Sequence, residues 1–262
     1  MVVLALCGPS LAHAQAVEVV DRSALRVCAD PAAMPFSSQD ERGFENRIAS
    51  LFAKDLGVPV RYTWFPNTIG FYRRTLNVRR CDLVIGAPAD GDIAQSTKPY
   101  YRSTFVILTR SEDRVALVSL HDPLLKGKRI GVQARTPVAD LIARYGLADH
   151  MRAYGLLVDS RVSSSGNEMA DDLLADKIDA AIVWGPVAAY QAKLHSGALK
   201  MTVLGETEDG VQLAYPIAMA VRRGEPRWRA RVEDFLASRA REIVEIIAQA
   251  GVPLLPLDRS QP

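Results

Sequence analysis

Two α/β lobes joined by two hinge strands, each lobe a mixed, mainly parallel sheet flanked by helices, is the fold class predicted by this 262-residue sequence. Three observations carry it. Short β-branched runs alternate with stretches of helical period from Leu25 onward, and the same rhythm restarts after a polar segment at 111–114. A further strand and helix then close the chain after the second unit is complete, which returns the chain to the first lobe.

The elements follow in order. The first sixteen residues, MVVLALCGPSLAHAQA, hold a short apolar run and A-x-A patterns at Ala12, Ala14 and Ala16, the marks of a secretory signal, although no basic residue precedes the run. Leu6 before Cys7 is too large for a lipoprotein signal. LRVCAD (25–30) reads as a strand, and Phe44, Ile48, Leu51, Phe52 and Leu56 fall on one face of a helix stopped by Gly57. VRYTWF (60–65) is the next strand, TIGFYRRTLNVRR (68–80) a second helix, and CDLVIGAP (81–88) a nearly continuous apolar strand, as a parallel strand buried on both faces requires.

In the second unit KRIGVQ (128–133) is a strand, and Thr136 with Pro137 opens a helix as cap and first-turn residue. NEMADDLLADKI (167–178) is helical, with Asn167 and Glu168 leading in; DAAIVWG (179–185), a helix from Pro186 and LKMTVLGE complete the unit. YPIAMAVRRGE (215–225) is the returning strand, and one helix carries Trp228, Val232, Phe235, Leu236, Ile243 and Ile247 along a stripe. The expected crossings lie near 105–110 and 213–219. Lobe 1 is thus expected over 17–107 and 216–262, and lobe 2 over 108–215, after a signal at 1–16.

Composition and motifs narrow the function. The 32 basic and 30 acidic side chains are interspersed, with no run to track a phosphate backbone, so nucleic acid is not an expected partner. No later apolar stretch approaches the ~20 residues of a membrane-spanning helix, so no membrane insertion is expected. Removal of the signal leaves Cys28 and Cys81 in a disulfide-permissive compartment, where neighbouring parallel strands would let them bridge; two free buried thiols are the alternative. None of the four histidines has a partner at metal-ligand spacing, and no nucleophile elbow, phosphate loop or dinucleotide fingerprint occurs. No catalytic residue, metal or cofactor is expected.

Open α/β sheets place ligands just past the carboxyl ends of their strands. Those positions are 30–36, 64–67 and 87–90 in the first lobe, and 134–136 and 184–186 in the second. The candidate cleft residues are Asp30, Phe36, Glu45, Trp64, Phe71, Asp90, Arg102, Thr136, Trp184 and Tyr215. Thr136 stands at a helix N-terminus, which favours an anionic group. Trp64, Phe71 and Trp184 offer flat apolar faces, and Glu45 reads as a solvated carboxylate in a first helical turn.

The segments LRVCADPAAMPFS, GFENRIASLFAKDLG, CDLVIGAPAD, KPYYRST, LKGKRIGVQARTP and KIDAAIVWGPVAAY resemble the family 3 periplasmic solute-binding proteins of ABC transporters. RYTWFP, PYYRSTFV and YPIAMAVR are similar to its quinoprotein dehydrogenase-associated branch, the J-type accessory proteins of methanol oxidation. The resemblance implies a type II periplasmic binding protein fold and a periplasmic location. It also implies association with a PQQ-dependent methanol or alcohol dehydrogenase, in binding or activation.

Amino-acid-binding relatives hold the ligand carboxylate with an Arg after the third strand and the ammonium with a lobe-two Asp. Asp90 and Trp184 stand at those places here, and no Arg occurs between Arg80 and Arg102. A carboxylate repels a carboxylate and an indole offers no anion, so free amino acids are poor candidates. The alternative is a transporter-linked receptor for a small non-amino-acid solute. An enzyme of the cyclohexadienyl dehydratase kind would need an acid or base in the cleft, for which only Glu45 and Asp90 offer themselves.

Overall fold

A computed structural model describes residues 18–113 and 117–257, so the expected signal at 1–16 lies outside the described residues. In the first lobe β1 (Leu25–Ala29) runs parallel to β4 (Val60–Trp64), with Leu25 opposite Val60 and Ala29 opposite Trp64. The crossover between them is α1 (Phe44–Leu56), which buries Phe44, Ile48 and Phe52 on one face and ends where Gly57 takes φ 68°. A small hairpin of β2 (Ala32–Ala33) and β3 (Ser37–Ser38) precedes it. The Asn46 side chain ties this hairpin to the helix start, accepting from the Ser38 and Gly43 N–H groups at 3.0 and 3.1 Å.

β5 (Val84–Pro88) reaches β1 through a parallel bridge between Val27 and Leu83, and the Cys28 N–H donates to the Leu83 carbonyl at 2.9 Å. That alignment brings Cys28 and Cys81 to a Cα separation of 5.5 Å, and they form a disulfide.

The helix expected over 68–80 shrinks to the single turn α2 (Phe71–Arg74). Its apolar positions do not sustain a face, since Phe71 and Leu76 are buried while Val78 is exposed. The Thr75 hydroxyl donates back to the Phe71 carbonyl at 2.6 Å, Arg79 takes φ 62°, and the chain turns to deliver Cys81 to β1.

β7 (Tyr101–Arg110) belongs to both lobes. Tyr101–Thr104 pair with β14 (Ala214–Val221), which also pairs with β5 and with the two-residue β6 (Gln95–Ser96). From Phe105 the partners become β10 (Ala180–Trp184) and β11 (Leu199–Val203). The change of partner falls between Thr104 and Phe105, and residues 105–110 lie within the second sheet. There Phe105 and Ile107 enter one core cluster and Val106 and Leu108 the other, so the strand is buried on both faces.

β8 (Ile130–Gln133) pairs parallel with β10 and with β9 (Met151–Tyr154). β9 carries no apolar run, and Tyr154 is its one buried residue. α3 (Pro137–Arg144) starts at Thr136 as its spacing predicts, whereas α4 (Ser165–Leu174) is capped by Ser164 and begins two residues before Asn167. α5 (Gly185–Leu194) follows β10 directly, and a small hairpin of β12 (Thr207–Glu208) and β13 (Val211–Gln212) leads to β14.

The stripe expected on one closing helix is divided between α6 (Pro226–Ser238) and α7 (Ala240–Gln249). Arg239 leaves helical geometry at ψ 16°, and its guanidinium pairs with Asp55 at the end of α1 and with Glu242. The break turns Ile243 and Ile247 onto the same core that Val232, Phe235 and Leu236 fill. Phe52 of α1 stacks between Trp228 and Phe235, at centroid distances of 5.7 and 4.2 Å, and its burial contributes about 2–3 kcal/mol.

Candidate functional site

A cavity of about 170 Å³ opens past the carboxyl ends of β1 and β5. Asp30, Phe36, Glu45 and Phe71 line it from the first lobe and Trp184 from the second; Ile217 of β14 adds a hinge residue. Asp30 is buried, and its carboxylate accepts from the Ala32 and Asn67 N–H groups at 2.9 and 2.6 Å. The hydroxyl of Ser160, in the loop between β9 and α4, donates to the same carboxylate, so a hydrogen bond crosses from one lobe to the other at the cavity.

Glu45 is not the solvated carboxylate its place in a first helical turn suggests. It faces the cavity from α1 and is partly buried. No hydrogen bond from the described residues reaches its carboxyl, and burial together with the Asp30 charge pushes its pKa up to about 8. Gly86 of β5 makes the space for it, since a Cβ there would stand 2.0 Å from Glu45 Oε1. Helix position told only that the group was acidic and near a positive dipole end; the enclosing strand decides its protonation.

The aromatic wall is packed rather than pendant. Phe36 meets Phe44 edge-on at 5.5 Å, and Phe71 meets Tyr72 edge-on at 5.4 Å. Trp184 packs against Phe105 at 5.4 Å and Tyr215 at 6.1 Å, an aromatic group beside the change of partner in β7. Gly185 is required here, because a Cβ would meet the Thr104 carbonyl and Pro253 at 2.5 Å. The C-terminal segment closes this side, with Leu255 N–H donating to the Arg102 carbonyl at 2.9 Å and the Ser103 hydroxyl to the Pro253 carbonyl at 2.7 Å.

The other five candidates lie outside the cavity lining. Trp64 stacks on Tyr62 at 4.4 Å beside the first-lobe core, and Asp90 is exposed in the turn after β5. Arg102 pairs with Glu206 at 2.8 Å. The Thr136 hydroxyl donates to the Gln133 carbonyl at 2.7 Å and accepts from Ala139 N–H at 3.3 Å, so α3's cap is already occupied with its own turn. Tyr215 donates to the Gln212 carbonyl at 2.9 Å.

Tyr72, Tyr101 and Gly86 line the cavity without having been singled out, and Ser160 binds Asp30. Gly86, a lone glycine inside an apolar strand, is a legible sign of close approach. Ser160 gives no such signal.

Comparison with known proteins agrees with this architecture. The model for bacterial extracellular solute-binding proteins, family 3, matches residues 25–248. Protein MoxJ of Methylorubrum extorquens is 30% identical over 97% of this chain and 91% of its own length. Protein MoxJ of Paracoccus denitrificans is 29% identical over 97% and 94%. The crystal structure of the periplasmic binding protein XoxJ from Methylobacterium extorquens AM1 superposes with a TM-score of 0.75 at 35% identity, covering 89% of this chain and all of that one. By the extent of these matches and by its two-lobed fold, the chain belongs to the bacterial extracellular solute-binding proteins, family 3.

Proposed function

We propose that this protein is a non-catalytic periplasmic accessory of a PQQ-dependent methanol or alcohol dehydrogenase, exported by the signal at 1–16, that binds the dehydrogenase or assists its activation. The observation that carries the reading is similarity along nearly the whole chain to MoxJ and XoxJ proteins, the branch whose motifs the sequence shares. The cavity supports it from another direction. Among the described residues no Arg, Lys or His lines it, so it holds no cation to clamp an amino-acid carboxylate.

We assign 17–104 and 216–262 to lobe 1 and 105–215 to lobe 2, which moves the expected 107/108 boundary back to the partner change in β7, where motion between the lobes is centred. Affinity purification from the native host tests the main reading: the dehydrogenase should co-purify, and a deletion strain should lose dehydrogenase activity. Full activity in that strain with no associated quinoprotein would refute it. The second reading, a receptor for a small solute that is not an amino acid, is favoured by the cavity between Phe71 and Trp184. Thermal stabilisation by a single compound from a solute panel, with a transporter permease as the co-purifying partner, would select it.

A further inference from the structure

We propose that the cavity is a binding site for a small organic cation of the alkylammonium class, held between the Asp30 and Glu45 carboxyls and an aromatic wall, with Glu45 releasing its proton as the cation enters. The inference stands on the cavity alone and does not depend on any dehydrogenase partner.

Two acidic side chains line one cavity, and among the described residues no basic side chain does. Asp30 has its oxygens supplied by two backbone N–H groups and the Ser160 hydroxyl. Glu45 has no such supply, and a partly buried carboxyl facing the cavity without a hydrogen-bond partner holds its proton up to a pKa of about 8. The groups facing Glu45 explain why nothing inside the protein relieves it. Asp30 comes from the end of β1, Tyr62 from β4, Tyr72 from α2, Tyr100 from just before β7 and Tyr101 from its start, so the groups electrostatically coupled to it are one like charge and four phenols.

What the site lacks is a positive charge, and its walls are suited to one without strong hydration. Phe36, Phe71, Tyr72, Tyr101 and Trp184 line the same space, and aromatic faces stabilise ammonium groups, most of all after desolvation. A strongly hydrated metal ion would instead need several oxygen ligands, and among the described residues no group of three or more His, Cys, Asp or Glu is placed to hold one. The exchange balances. One cation enters, one proton leaves Glu45 for solvent, and the net charge of the cavity is unchanged.

The test titrates the purified protein with choline and with its uncharged isostere 3,3-dimethylbutan-1-ol, by calorimetry in two buffers of different ionisation enthalpy. Choline should bind and the alcohol should not. Choline affinity should rise up to about tenfold per pH unit between about pH 6 and pH 8 and level off above, with proton release approaching one per cation at the acid end. E45Q should abolish both the pH dependence and the released proton. If E45Q does not fold, the carboxyl carbon-13 titration of Glu45 in the wild type, with and without choline, reads the same proton. Equal binding of the alcohol, binding without proton release, or no binding by choline, methylammonium and tetramethylammonium would each overturn the proposal.

Discussion

Replacing Glu45 by Gln should stabilise the protein at neutral pH. The Glu45 carboxyl titrates near 8 in the fold, against an ordinary 4.5. At any pH between these values the folded chain holds this proton and the unfolded chain has lost it. The unfolded state therefore binds fewer protons, and this group's contribution to stability falls as pH rises. Each pH unit above 4.5 removes about 1.4 kcal/mol, so the wild type forfeits about 3 kcal/mol by pH 7 relative to a side chain that cannot ionise. Glutamine has the same size as the protonated acid and fits beside Gly86 without asking for the charge to be removed. Urea unfolding of wild type and E45Q across about pH 4.5 to pH 8 measures the difference, which should be close to zero at the acid end and grow to about 3 kcal/mol at neutrality. Parallel stability curves for the two proteins, with a constant offset, would refute the burial argument.

Three further outcomes follow from the same packing. Replacing Cys28 and Cys81 together by Ser removes a bridge across 53 residues of sequence and should cost about 4 kcal/mol by loop entropy, read as a lower denaturant midpoint that dithiothreitol no longer changes. S160A removes the hydroxyl that joins the second lobe to Asp30 and should cost about 1–2 kcal/mol in the interlobe contact; small-angle scattering should show a larger mean radius, and an unchanged curve would count against a closed state held this way. Asp82 is buried between the guanidinium groups of the partly exposed Arg26 and the buried Arg222, at 2.7 and 2.5 Å, so D82N leaves Arg222 with Glu225 as its remaining carboxylate partner and should lower stability by about 3 kcal/mol in thermal or urea unfolding.

The two-lobed fold was legible because its strands are apolar runs and its helices repeat every three to four residues. β10 and the second half of β7 are covered on both faces, and such strands announce themselves in any window. β9 did not, because only Tyr154 is fully buried, Arg152 and Ala153 are exposed, and only pairing with β8 makes it a strand. The break at Arg239 was equally hidden: the apolar stripe continues across it in sequence, and only an ion pair with Asp55, 184 positions earlier, shows why the helix must bend.

Site residues divided along a similar line. Asp30, Phe36 and Trp184 follow strand ends, where topology alone brings groups to a shared edge, and all three line the cavity; Phe71, offered for its flat apolar face, lines it from the start of α2. Thr136 follows a strand too, but its hydroxyl is engaged within its own turn, so the rule gave a position without a free group. Glu45 was nameable from sequence, whereas its environment was not. A first-turn acid is normally stabilised as an anion, and here the strand residue Gly86 admits it into a cavity beside another carboxylate.

The order in which the chain is made gives the shared strand β7 another meaning. The second sheet needs only residues 105–203, one continuous stretch. The first sheet cannot close until β14 arrives to sit between β5 and the start of β7, so its central strand is contributed by the last fifth of the chain. A polypeptide entering a compartment from its N-terminus thus carries an unfinished first lobe while the second already has every strand it requires. Contacts between distant segments are slow to form, and the lobe that holds Glu45, Asp30 and the disulfide is the one whose assembly waits longest.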